Sequence, residues 1–232
     1  MRMAELSAVS GVPVATIKFY LRENLLAAGE RTAPNQADYG PDHVGRLRLI
    51  RSLIDVGGLA VVDARRVLAA IDSDLSLQET FDIAQRTVSE QIDPTEIRSS
   101  AFDRIDDATS GWLVSADNPG RLAAARVMDS FDAVGQRDTR GWLTRYAQAA
   151  LLVAEADLDE IAALSERAAQ AQTVVVGTAL GDALFAGLRR AAQEHVAALR
   201  FSPTGPAHQN AYEHFPKHRP SRTGGSPAAP HS

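Results

Sequence analysis

The chain has 232 residues and no cysteine, which excludes disulfides, thiolate metal sites, thiol redox sensing and cysteine nucleophiles together. Its length suits a small module joined to a second domain, and its formal net charge of -5 is unevenly spread. Residues 1–71 hold nine basic against seven acidic side chains, a balance of +2, which leaves 15 basic and 22 acidic, or -7, for the remainder. That asymmetry fits a basic reading head on an acidic body.

The N-terminus enters an amphipathic pattern without the basic, apolar and small-residue sequence of a signal peptide. Residues 3–10 are expected to form a short helix, Gly11-Val12 a tight turn, and Pro13 the first position of a second helix, which is a helix-turn-helix pattern. At 100° per residue, Pro13, Ile17, Tyr20 and Leu21 fall on one side of that second helix. Ala15, Lys18, Phe19 and Arg22 fall on the other, with Thr16 beside them. Lysine and arginine there suit phosphates or guanine edges, and an aromatic suits sugar or thymine methyl contact. The alternative for Phe19 is packing on the segment that follows.

After Leu25-Leu26, the polar stretch from Ala28 to Gly40 has the length and the Gly and Pro content of a β-hairpin wing. Pro41 opens a third helix with Val44, Leu47, Ile50 and Ile54 inward and Arg46, Arg48 and Arg51 largely outward, ending at Gly57-Gly58. A fourth helix follows, with Val67, Leu68 and Ile71 inward.

Met3-Ala4-Glu5-Leu6, Ser10-Gly11-Val12, Thr16 to Tyr20 and Leu25-Leu26 resemble the opening of the MerR family of regulators. Tyr39, Val44, Arg46-Leu47, Ile50, Gly58-Leu59 and Arg65 to Leu68 continue the resemblance in order and spacing, over about residues 1–71. The resemblance implies a dimer that binds a palindromic promoter site on double-stranded DNA, distorts it, meets RNA polymerase there and in some members switches on a ligand. In the wing only Tyr39 transfers from the resemblance, as a backbone contact, and the expected DNA-contacting set is Ala15, Thr16, Lys18, Phe19, Arg22, Tyr39 and Arg46. Three features depart from the pattern. The wing reads Asn35-Gln36-Ala37-Asp38-Tyr39 and so lacks the family's wing arginine, and Ala60 stands where a serine or threonine usually caps the fourth helix. Pro94 interrupts the region where relatives carry a long antiparallel dimerisation helix.

Beyond residue 72 nearly everything reads as helix. Leu77, Phe81, Ala84, Val88 and Ile92 make one apolar stripe stopped by Asp93-Pro94, and Ile97, Ala101, Ile105, Ala108 and Trp112 make the next, ending near Gly111. Asn118-Pro119 is a cap with proline at the first helical position. Further stripes run through Leu143, Tyr146, Ala150 and Ala154, then Leu158, Ile161, Leu164 and Ala168. Thr173 to Val176 is β-branched, but the steps Val176, Leu180, Leu184 and Leu188 read as helix; Gly177 and Gly181 place small residues one turn apart. The most apolar run, Val174 to Leu188, is short and carries Asp182, so no membrane span is expected.

Trp112, Phe131, Trp142, Tyr146 and Phe185, with Met128, either line an apolar pocket for an organic effector or are core. From Ser202 onward Pro, Gly, Ser, His and Ala dominate, which reads as a disordered tail; its histidines, His208, His214, His218 and His231, are spaced too irregularly for a metal site. A helical enzyme is disfavoured, since only His43 and His195 lie outside the tail, and Asp106-Asp107 and the acids at 157–160 look like solvated surface. The expected fold class is mainly α, with a winged helix-turn-helix and short β-hairpin wing over residues 1–72. A helical dimerisation and effector region then spans 73–201, and the tail 202–232. The expected function is a cytoplasmic DNA-binding regulator, homodimeric, with no cofactor, no metal and no catalytic residue. The alternatives are a ligand-sequestering or architectural DNA-binder, and remotely a helical enzyme.

Overall fold

A computed structural model describes residues 1–33 and 36–201. The expectations for the tail, and for Asn35 in the wing, lie outside the described residues. The chain divides into two compact units, Met1–Leu184 and Phe185–Ser232, and the described part of the second is the last stretch of the final helix.

The first four helices are α1 (Met3–Ser10), α2 (Val14–Arg22), α3 (Pro41–Arg51) and α4 (Val61–Ile71). Between α2 and α3, β1 (Glu30–Ala33) pairs antiparallel with β2 (Gln36–Asp38), giving the winged helix-turn-helix with its hairpin. Pro13 is the residue before α2 rather than its first, and Ala60 leaves the start of α4 without a side-chain cap. Past Arg51 the helix widens to a π-type turn over Ser52–Val56, which the apolar spacing did not signal. Leu6, Ile17, Leu47, Ile50, Leu53, Val67 and Leu68 are almost fully buried and bind these elements together. Burying each such aliphatic side chain contributes about 1.5–3 kcal/mol.

The remaining helices are α5 (Leu77–Val88), α6 (Ser99–Ala108), α7 (Pro119–Ala133), α8 (Trp142–Ala162) and α9 (Arg167–Phe201). α5 ends at Val88, so Ile92 falls outside the helix and Asp93-Pro94 starts a short 3-10 turn instead of stopping α5. Ser76 and Glu79 form a reciprocal cap at its start: the Ser76 hydroxyl accepts from the Glu79 N–H at 3.2 Å, and the Glu79 carboxylate accepts from the Ser76 N–H at 2.8 Å. The Ser76 hydroxyl also donates to the Glu79 carboxylate at 2.7 Å; this bond first, and then the one from the Ser76 N–H, hold the Glu79 carboxyl below its ordinary value. Ser76→Ala is expected to cost about 1 kcal/mol in thermal unfolding, because it removes the hydroxyl half of the cap and leaves only the backbone N–H half. An unchanged melting curve would contradict it.

α6 and α7 pack around Ile97, Ala101, Ile105, Ala125 and Met128 in a second, smaller core, with Trp142 and Leu143 of α8 against it. Asp106 is exposed on the helix surface, as expected, and accepts two bonds from Arg121 at 2.7 and 2.6 Å; this hydrogen bonding holds its carboxyl below the usual range. Asn118 caps α7 as expected, accepting from the Arg121 N–H at 3.0 Å.

The larger core crosses the boundary expected near residue 72. Ala84 of α5, Ile161 of α8 and Ala171, Val174, Val175 and Ala179 of α9 share it with the first four helices. Thr173 to Val176 is helical. Gly177 and Gly181 have open space around them, so neither makes a close helix crossing within the chain. The close approach occurs at Gly57, where an added Cβ would lie 3.3 Å from the Ala179 carbonyl and 3.3 Å from a Leu180 methyl. Among the described residues, α9 is the one helix long and apolar enough to cross a membrane, with a mean hydropathy of 1.4 over 18 residues. Its helix is longer than the apolar run in the sequence suggested, and its Ala171–Ala179 face is buried against protein.

Candidate nucleic-acid interface

α2 presents two faces. Ile17 and Tyr20 are buried, while Ala15, Lys18 and Arg22 are exposed and Thr16 is half-buried. Burial, and secondarily the Asp55 carboxylate, push the Tyr20 phenol up against the opposing effect of Arg51, so Tyr20 stays neutral in the core. Phe19 lies between the faces: half-buried, it packs against the main core with its ring 5.9 Å from that of Tyr20. The packing alternative raised for Phe19 therefore describes much of its surface, because its helical position grazes the core edge.

The head's arginines fall into two groups. Arg46, expected at the DNA, is committed inside the chain: its Nε donates to the Leu25 carbonyl at 3.0 Å and its two terminal nitrogens grip the Asp72 carboxylate at 3.0 and 2.6 Å. That fork ties the start of the wing, α3 and the end of α4, and corrects the outward placement read from helical spacing. Arg65 likewise donates to the Glu23 carbonyl at 2.8 Å and pairs with the Glu23 carboxylate, fixing and neutralising the acid that follows α2. Arg51 pairs with Asp55, and Arg2 reaches Thr32 and Asp38 across the wing.

Lys18, Arg22, Arg31 and Arg48 are exposed and make no ion pair or hydrogen bond among the described residues. Two of them share a cleft. Lys18 and Val14 from α2, Arg31 from β1, Gln36 and Ala37 from β2, Tyr39 and Met3 enclose about 380 Å³ between the second helix and the wing. Tyr39 forms its floor, its ring buried edge-on against His43 at 5.1 Å and its N–H bonded to the Met1 carbonyl at 2.9 Å. Gly29 allows the wing to close this tightly, since a Cβ there would lie 2.5 Å from the Asp38 carbonyl and 2.9 Å from the Tyr39 ring. Arg31 was missed in the sequence. The family pattern directs attention to the second strand, whereas the register pairs Arg31 of the first strand with Ala37.

The sequence model of the MerR helix-turn-helix regulatory protein family matches residues 1–71. The chain is also similar to a crystal structure, that of "the putative transcriptional regulator SCO5550" from Streptomyces coelicolor A3(2). The two are 30% identical with a TM-score of 0.67, over 88% of this chain and 100% of that one. This chain belongs to the MerR family. A comparison with curated proteins gives no match. The MerR assignment places α1 and α2 as the helix-turn-helix and β1-β2 as the wing, and it makes the chain a DNA-binding regulator.

The aromatic set expected to line an effector pocket is partly brought together. Phe131, Trp142 and Tyr146 form an edge-to-face ladder between α7 and α8, with successive centroids 5.4 Å apart. Met128 is buried in the smaller core instead. Neither the cleft beside the wing nor a second, acidic cavity of about 440 Å³ at the start of α5 is lined by any of these aromatics.

Proposed function

We propose that this MerR-family chain is a sequence-specific transcription regulator that acts as a homodimer on a palindromic promoter site, where it meets RNA polymerase. α2 is the reading element: Lys18 and Arg22 meet phosphates or guanine edges, Ala15, Thr16 and the exposed part of Phe19 meet sugars and thymine methyls, and Tyr39 with the wing approaches the backbone. The observation that carries this reading is the sorting of the head's cations. Those facing inward are neutralised by acids, and those on α2 and beside the wing cleft are left without a partner. Unpaired cations on one face give affinity by releasing the counterions of the phosphate backbone. Arg46 acts as an internal strut rather than a DNA contact.

The protein acts in the cytoplasm, without catalysis and without a cofactor. A small apolar organic molecule is the signal this reading admits, because the chain has no cysteine for metal or redox sensing and leaves the Phe131–Trp142–Tyr146 ladder half exposed. Selection of bound duplexes from random sequence tests the reading. A two-fold symmetric site should be enriched, with half-sites about one helical turn apart or a multiple of it. Enrichment of no sequence, with equal affinity for all duplexes, would favour an architectural DNA-binder.

A further inference from the structure

The Phe131–Trp142–Tyr146 ladder is bordered by arginines that no acid of the described chain neutralises. Phe131 and Tyr146 are 36% and 48% exposed, and Val127 and Val134, about one helical turn to either side of Phe131, are 53% and 72% exposed, so the rings belong to an open apolar patch. The loop from α7 to α8 carries Arg137 and Arg140, and Arg145 stands next to Tyr146. All three are exposed, and their side chains make no hydrogen bond or ion pair among the described residues. The acids nearby on α7 are engaged elsewhere, Asp129 with Arg98 and Asp132 with Arg104. Asp138 turns its carboxylate to the N–H groups of Arg140, Trp142 and Leu143 at the head of α8. From Ala133 to Ala154 the charged residues are Arg137, Asp138, Arg140 and Arg145, three cations against one acid, in a region that is otherwise strongly acidic.

We infer that the ladder takes a small amphiphilic anion, whose apolar body lies on Phe131, Trp142 and Tyr146 and whose carboxylate or phosphate head is held by the arginines that border them. The inference rests on the effector reading above and adds the charge of the effector.

Charge also selects the size of the ligand. Exposed cations act over about a Debye length, about 8 Å at physiological salt, so a single head group meets only the local excess of positive charge. A DNA duplex, an acidic protein or an anionic bilayer would span the region after residue 71 as a whole, and its balance of -7 repels them. Arginine donates in parallel pairs to carboxylate and phosphate oxygens, and such charge-assisted bonds are about twice as strong as neutral ones. A neutral ligand leaves that capacity unused, and a cationic one is repelled.

Trp142 reports on the ladder directly. The chain has two tryptophans, so in a Trp112→Phe chain the emission of Trp142 alone is followed as decanoate, decanol and decyltrimethylammonium are added in turn, each below the concentration at which it self-associates. Calorimetry on the full parent chain repeats the titrations. Decanoate is expected to bind about tenfold more tightly than decanol, and decyltrimethylammonium the most weakly. Arg140→Gln combined with Arg145→Gln is expected to abolish the preference for decanoate and leave the melting temperature unchanged, since neither side chain is bonded within the described chain. Equal binding of decanoate and decanol, tighter binding of the cation, or parent-like decanoate binding by the double variant would overturn the anionic class alone and leave the ladder as an effector site. Failure of all three compounds to bind would overturn the effector reading and the inference together. Sedimentation of the parent, but not of the double variant, with phosphatidylglycerol vesicles would assign the patch to a lipid surface and overturn the small ligand.

Discussion

Lys18→Ala and Arg22→Ala are each expected to weaken operator binding with no change in melting temperature, and comparing the two separates positioning from reading. Both side chains are exposed on α2 and have no partner within the described chain, so removing them leaves no internal bond broken. A cation that only meets phosphate should weaken all sequences alike and lower the salt dependence of log K by about one unit; one that reads a base should cost about 1–3 kcal/mol and relax specificity at one position. Arg31→Ala should behave as the phosphate case, because its place on β1 beside Lys18 and Tyr39 faces the cleft and not the exposed turn of α2. Arg46→Ala is the opposite control. It should lower the melting temperature and leave the salt slope unchanged, since its guanidinium is spent on Leu25 and Asp72. Filter binding or fluorescence anisotropy across a salt series measures all four. If the three exposed cations could be removed with parent-like binding, α2 and the wing would not be the DNA-contacting face.

A second large effect is expected from Gly57→Ala. The new methyl would sit 2.7 Å from the Leu53 carbonyl and 3.3 Å from the Ala179 carbonyl, both backbone atoms that cannot rotate away. Either the π-type turn or α9 must move. Overpacking of this kind costs about 1–3 kcal/mol, a few degrees in Tm for a chain of this size. Gly177→Ala, in the interior of α9 with nothing near its Cβ position, should do the reverse and stabilise by about 0.4–1 kcal/mol through reduced backbone entropy of the unfolded chain. Thermal unfolding of the two variants therefore tests whether close contact lies where the structure places it, at Gly57, or at the glycine pair that the sequence pattern singles out. Equal and small shifts would refute the placement.

The first four helices and the wing were legible in the sequence because their signals are local. Gly11 takes the left-handed backbone (φ 69°) that ends α1, Ile17 and Tyr20 are one turn apart on α2, and the polar interval between Leu26 and Pro41 is the length of a hairpin. The exposed face of α2 followed from the same periodicity. What needed tertiary structure was the fate of each long side chain. Helical spacing put Arg46 outward with Arg48, but an arginine reaches far enough to fold back, and Asp72 stands 26 residues away in sequence. Phe19 is set by the angle at which α2 meets the core, which no spacing within α2 records.

The C-terminal region divides in the same way. Asn118-Pro119 announced the start of α7 from sequence alone, because a cap and a following proline act within one turn. By contrast, the Asp138 carboxylate accepts the Trp142 and Leu143 N–H groups at the head of α8 at 2.8 and 2.9 Å, across a loop that carried no such signal. Apolar stripes marked α5 to α9 as helices, but a stripe does not say what covers it. Packing buried the Ala171, Val174, Val175 and Ala179 stripe of α9 in the core shared with the head, and left the Leu151 and Leu158 stripe of α8 open. Periodicity is a property of one helix, whereas burial depends on contacts between residues far apart in the chain; the sequence by itself determined the helices, the wing and the exposed face of α2, and tertiary structure alone decided which charges are spent inside and which apolar stripes are buried.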